Sequence, residues 1–304
     1  MPTVHALRQR SRPEQALVPE GLICLEGHAG LSLLARRAIV LLWHQACRQG
    51  LEAGKGHLIE LSALCADTHK GTGDALRAVR EIAGATLGHR TLQGVLEPVR
   101  LLGRTDLEDP ARAGGTLRYE IDEGFFRHLA PRTPCGVVDL TALRALSSKY
   151  AVPLFLRGCL MTTARRKVPP LSLAELRALV GVAEGAYPAF AEFNRAVLQR
   201  ALQDVNAVTS LSMGLQPYRV GRRVEMFELL CSPEGDGLAG TAGREARLPK
   251  AGRRARRPQG RGVNLALTSQ AKEERAERLA QRRTAMEEEA AQTPWWVGEG
   301  DGQG

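Results

Sequence analysis

Three observations predict an α+β fold made of two helix-and-hairpin units in tandem, followed by a basic tail. Residues 147–227 read as a scaffold helix, a short capped helix, a turn, a long second helix, then two strands joined by a basic hairpin. Residues 22–130 repeat that order as helix, helix, helix, then strands, although residue identity between the halves is low. Beyond Ser232 large apolar residues almost vanish. A helix pair followed by a basic hairpin is the plan of a winged helix, which sets its second helix in a DNA groove. The expected organisation is a flexible arm (1–21), a first winged helix (22–131), a linker (132–138), a second winged helix (139–231) and a basic, disordered tail (232–304).

In the first unit, residues 31–49 place Leu33, Leu34, Ile39, Leu42, Trp43 and Ala46 near helical spacing. LIELSALCA follows as a strand running into a short helix near Ser62. A turn at residues 70–73 leads into DALRAVREIAGATL, whose Leu76, Val79, Ile82 and Ala83 form one apolar stripe. Residues 92–102 and TLRYEIDEGFFRHL read as the arms of a long hairpin around the loop DLEDPARAGG.

The second unit opens at Asp139, the expected N-cap of a helix over LTALRALSSKYAVPLFLRGCLMTTA. Pro153 should interrupt that helix unless it lies close to a start. Ser172 and Glu175 form a capping box, and Gly181 stands at the C-terminal stop of the short helix. A long helix then begins near Tyr187. At about 100° per residue, Phe190, Phe193, Val197, Leu198, Ala201 and Val205 cluster on one side. The opposite arc carries Pro188, Glu192, Arg195 and Gln199, with Ala189 and Ala196 at its edge, while Asn194 falls inside the apolar arc. Arg and Gln can meet base edges or phosphate, and small residues permit close approach. The hairpin YRVGRRVEMFEL sets Arg219, Arg222 and Arg223 around a turn at Gly221, suited to a phosphate backbone or minor groove. Taken singly, each feature also fits an ordinary amphipathic helix or a surface turn.

Charge points the same way. Lys+Arg 42 against Asp+Glu 33 gives net +9, which favours a polyanionic partner, nucleic acid or an anionic membrane surface. No apolar run reaches the roughly 18 residues needed to span a bilayer, and no apolar segment follows the basic N-terminus. A cytoplasmic protein with no membrane partner is expected. Lys70 and Arg77 in the first unit and Arg253, Arg254, Arg256 and Arg257 in the tail are candidate nonspecific phosphate contacts. The tail run could equally be a solubilising extension. Its composition cannot offset its own ordering entropy. Trp295-Trp296 is a candidate docking peptide for a partner protein.

Catalytic signals are missing. The six cysteines contain no C-x-x-C pair and read as small buried hydrophobes rather than zinc ligands or disulfides. The seven histidines contain no closely spaced pair, and the four tyrosines lie far from any cluster of metal-ligand residues. GLEAGKGH lacks the spacing and the hydroxyl of a phosphate loop. No enzyme activity, metal or cofactor is expected.

Residues 148–222 resemble the C-terminal winged helix of the initiator proteins of theta-replicating, iteron-containing plasmids. The likeness rests on Ser148-Lys149-Tyr150, Leu173, Glu175-Leu176-Arg177 and residues 179–181. It continues through Tyr187, Phe190, Phe193, Val197-Leu198, Ala201, Val205-Asn206 and Gly221-Arg222. The resemblance implies two winged helices that grip one repeat in major grooves about 34–36 Å apart. It also implies monomers on direct-repeat iterons, in equilibrium with a homodimer on an inverted repeat that represses the gene. The N-terminal domain would then be the dimerisation surface, strain on A·T-rich DNA would help open the origin, and the host initiator and helicase would be recruited there. Asn194 departs from the usual basic residue, and Ala186 and Ala189 make the preceding turn Ala-rich, which implies fewer direct base contacts or a different iteron. The alternatives are a dedicated dimeric winged-helix repressor and, further off, a DNA-nicking replication enzyme.

Overall fold

Ala16 and Val18 point inward from a strand, β1 (Gln15–Pro19), at the start of the computed structural model. The structure describes residues 13–65, 71–90, 96–108, 115–127, 129, 133–164, 169–220 and 223–233. Strand β1 runs antiparallel to Cys135–Asp139, with Gln15 opposite Asp139 and Pro19 opposite Cys135. Residues expected to be a flexible arm and a linker therefore form a two-stranded sheet. A five-residue strand carries too short an alternation to declare itself, and its partner lies far along the chain.

After the short helix α1 (Glu20–Ile23), Ser32 opens α2 (Leu33–Arg48), its Oγ accepting from Ala35 N at 3.2 Å. Helix α2 is buried along most of its length, and Trp43 Nε1 donates to the Leu17 carbonyl at 2.9 Å, tying it to β1. Strand β2 (Gly56–Glu60) runs into α3 (Leu61–Leu64), and α4 (Thr72–Gly84) follows. Val79 and Ile82 face the core as expected, but Ala75 and Ala78 complete the buried stripe in place of Leu76 and Ala83. The predicted arm over residues 92–102 is divided. A hairpin of β3 (Leu87–Arg90) and β4 (Leu96–Val99) pairs with itself, and a separate strand begins at Leu102. That strand, β5 (Leu102–Glu108), and β6 (Thr116–Ile121) join β2 in a sheet of order β2-β6-β5. The division falls at the buried Leu101, whose carbonyl accepts from Asp122 N at 3.0 Å.

Helix α5 (Glu123–Arg127) leads to β7 (Cys135–Asp139). Asp139 caps α6 (Leu140–Ala145), its Oδ1 accepting from Thr141 N at 2.7 Å and Ala142 N at 3.0 Å. The single helix expected here breaks, and α7 (Ala151–Thr163) starts afresh. Pro153 sits in its first turn, where a missing N–H costs nothing. Strand β8 (Leu171–Ser172), α8 (Leu173–Val180), α9 (residues 190–208), β9 (Leu211–Val220) and β10 (Arg223–Pro233) complete the chain, with sheet order β8-β10-β9.

The two halves share an element order. Each runs scaffold helix (α2 or α7), first strand (β2 or β8), short helix (α3 or α8), longer helix (α4 or α9) and hairpin. In each, the first strand pairs with the last. The first half adds the β3–β4 hairpin. Buried apolar residues of both halves form one continuous core.

Two arginines cross the junction. Arg36, only 3% exposed, donates to the carbonyls of His28, Lys149, Val180 and Gly181. Arg37 donates to the Leu146 carbonyl. Burial lowers the Arg36 guanidinium to about 10, still charged at neutral pH. Among the described residues no helix is long and apolar enough to cross a membrane. None of the six cysteines is joined in a disulfide, and burial pushes Cys47 and Cys231 up to about 12.

Candidate nucleic-acid interface

Helix α9 is positioned from three sides. Arg177 of α8 braces the turn before it, donating to the carbonyls of Ala186, at 2.9 Å, and Tyr187. The same guanidinium lies over the Phe193 ring, 4.7 Å from its centroid. Tyr187 takes a left-handed φ of 55° and Ala189 is extended, so the helix begins at Phe190 rather than near Tyr187 as expected.

Behind the helix, Asp204 reaches the start of α7. Its Oδ2 accepts from Ser147 N at 2.7 Å and Ser148 N at 2.8 Å, and Oδ1 accepts from Ser147 Oγ. In front, Asn206 pairs with Met213 in both directions, Oδ1 accepting at 2.7 Å and Nδ2 donating at 2.9 Å, which pins β9. Phe190 and Phe227 stack with ring centroids 5.1 Å apart and join the helix to β10. Phe193, Val197, Leu198, Ala201, Leu202, Val205 and Val208 are all buried.

The opposite face is open. Glu192, Arg195 and Gln199 are exposed side by side, with Pro188 and Ala189 exposed at the helix start. Asn194 is half-buried, and its Oδ1 accepts from Gln199 Nε2 at 3.4 Å. Ala191, Arg200 and Gln203 share this exposed surface, and sequence reading did not single them out. A count at a fixed 100° per residue sets Gln203 toward the edge of the open arc and Arg200 beside Phe193, and the helix changes pitch at Asn194–Leu198.

Strands β9 and β10 follow the helix as a hairpin. Arg219 pairs with Val224, and Val220 with Arg223, at the described end of the hairpin. Gly221 and Arg222 lie outside the described residues. A diagonal bond across the strands, Tyr218 Oη to Glu228 Oε2 at 2.8 Å, stiffens the hairpin below its tip.

In the first half Arg77 is exposed on α4 beside Asp74, its ion-pair partner, and Arg80 is exposed on the same helix. Lys70, Arg253, Arg254, Arg256 and Arg257, with Trp295-Trp296, lie outside the described residues. Among the described residues no cluster of three or more His, Cys, Asp or Glu could hold a metal.

An arrangement with one helix face held by packing and the other exposing Arg, Gln and Glu can enter a groove and meet base edges. Residues 172–230, from the capping serine through α9 to β10, match the family described as "Initiator Rep protein, WH2". The fold is similar to that in a "Crystal structure of Pi initiator protein in complex with iteron DNA". The TM-score is 0.55 at 18% identity, covering 75% of this chain and 100% of that one. No curated protein matches the chain.

Proposed function

We propose that this chain is a non-enzymatic, sequence-specific DNA-binding initiator of plasmid replication built on two tandem winged helices. The observation that carries the proposal is the exposed Glu192, Arg195 and Gln199 face of α9, on a helix whose other face packs on the core, within the segment that matches the initiator family. Helix α9 reads the major groove of a direct-repeat iteron, with Pro188 and Ala189 allowing close approach. The hairpin bearing Arg219, Arg222 and Arg223 contacts the phosphate backbone. The first half, through Arg77 and the elements around α4, takes a second groove of the same site. Double-stranded DNA as partner draws support from the iteron DNA in the similar Pi initiator complex.

Autorepression from an inverted repeat, a homodimer in equilibrium with the monomer, and recruitment of a host initiator and helicase complete the reading, in a cytoplasmic setting. The test is a footprint of the purified protein, at stated salt, on DNA flanking its own gene. Protection of several evenly spaced direct repeats is the expected result. Protection of a single palindrome would instead identify a dedicated repressor, and metal-dependent cleavage of supercoiled origin DNA a nicking enzyme. Salt-sensitive smearing on any DNA would overturn sequence-specific binding.

A further inference from the structure

Helix α9 does not keep one pitch. Between Asn194 and Leu198 it widens into a π turn, with Gln199 N–H donating to the Asn194 carbonyl five residues back. At about 100° per residue Leu202 would point half a turn away from Phe193, yet both are buried. Arg195, Gln199 and Gln203, spaced by four, would drift by about 40° at each step. The wider turn holds more residues per revolution, so everything after it is rotated back. Leu202 swings toward the core, and Gln199 and Gln203 come into line with Arg195. All three polar side chains are exposed. The Gln199-to-Asn194 side-chain bond, a five-residue pairing, is one that the π turn allows.

We propose that the π turn sets Gln203 in one row with Arg195 and Gln199, and that Gln203 is a further specificity-determining residue of the DNA-reading face. This rests on the DNA-binding reading above. A glutamine amide bonds an adenine N6/N7 edge bidentately, whereas a glutamate in its place accepts from a cytosine amino group. Eight residues of helix separate Gln203 from Arg195 by about 12 Å, which spans roughly three to four base-pair steps at about 3.4 Å each. The two side chains therefore address separate positions of one site. Such pitch changes occur often at functional sites.

The test is selection of binding sites from a random duplex library by the full chain, run for wild type, Gln203→Ala, Gln203→Glu and Arg195→Ala. Gln203→Ala should erase preference at one or two positions, by roughly tenfold or more, about three to four base pairs from those that Arg195→Ala alters. Gln203→Glu should turn that position toward cytosine. An unchanged motif in both Gln203 variants, with the Arg195→Ala motif altered, would overturn the proposal while leaving DNA reading by α9 intact. Weaker binding to every sequence with the same motif would also overturn it, by assigning Gln203 a structural role. If the wild type selects no motif, DNA reading itself fails. Gln203 is exposed, so neither substitution disturbs the core.

Discussion

The Arg36 guanidinium of α2 donates through Nη1 to the Val180 carbonyl at 2.8 Å, so a side chain of the first half closes the last turn of α8 in the second. The same fork reaches Gly181, Lys149 and His28 carbonyls, and its charge sits at the negative end of the α8 dipole. A Cβ on Gly181, whose φ is +67°, would lie 2.7 Å from Arg36 Nη2, so the stop glycine is also what lets the arginine in. The two helix-and-hairpin units are thereby held at one relative placement.

Arg36→Met should destabilise the protein by about 2–4 kcal/mol, because the substitution leaves buried carbonyls without a donor. Arg36→Lys should recover little, since one ammonium cannot reproduce a planar fork that meets carbonyls on both sides. Urea unfolding of the three proteins reads the difference. Midpoints within error of wild type would show that the junction is held by apolar contact alone.

Asp204 ties α9 to the start of α7 by three accepted bonds and is only 3% exposed. Asp204→Ala should cost about 2 kcal/mol, the upper range for loss of a helix cap. Asp204→Asn keeps one acceptor and should cost less. Thermal unfolding measures both. The reverse order would mean that the carboxylate is tolerated there rather than used.

Acid should weaken the first half before the carboxylates titrate. Burial, then the nearby Arg36 charge, lowers His28 from 6.5 to about 4, and burial also lowers His44 and His57. With the folded values depressed, the unfolded chain binds more protons below about 6.5, so stability is full above that pH and falls as pH drops toward about 4. His28 alone accounts for roughly 3 kcal/mol of the loss. Denaturant midpoints measured from pH 7.5 to pH 4.5 should fall, and His28→Asn should flatten part of the slope. A flat wild-type profile would contradict the burial of these rings as neutral groups.

Local signals were legible in the sequence and distant ones were not. The capping box shows both bonds, Glu175 N to Ser172 Oγ at 3.2 Å and Ser172 N to Glu175 Oε2 at 2.8 Å, because four adjacent residues carry the whole motif. Asp139 and Gly181 announced themselves for the same reason. The break before α7 depends on Asp204, far along the chain, and β1 depends on β7. Arg36 and Arg37 are buried because the second half supplies carbonyls for them, and nothing local in residues 31–49 signals that. On α9 the exposed Glu192, Arg195 and Gln199 followed from periodicity, while the start fell later than expected because Tyr187 takes a left-handed φ. Arg200 did not, since a π turn leaves no mark in a count at constant pitch, which sets Arg200 beside Phe193.

Arg195 and Arg222 should separate reading from gripping. Arg195 stands exposed on α9, and Arg222, outside the described residues, falls between β9 and β10 in the sequence. Arg195→Ala should cost about 1–3 kcal/mol on the preferred site and loosen preference at the base it meets. Arg222→Ala should weaken binding to preferred and scrambled duplexes alike, and lower the slope of log affinity against log salt by roughly one. Titrations of both variants on both duplexes at several salt concentrations decide the matter. A base contact is a short-range bond lost with its partner atom, whereas a phosphate contact is a released counterion, so the two losses differ in sequence and salt dependence. Equal losses and equal slopes in the two variants would remove the division of labour between helix and hairpin.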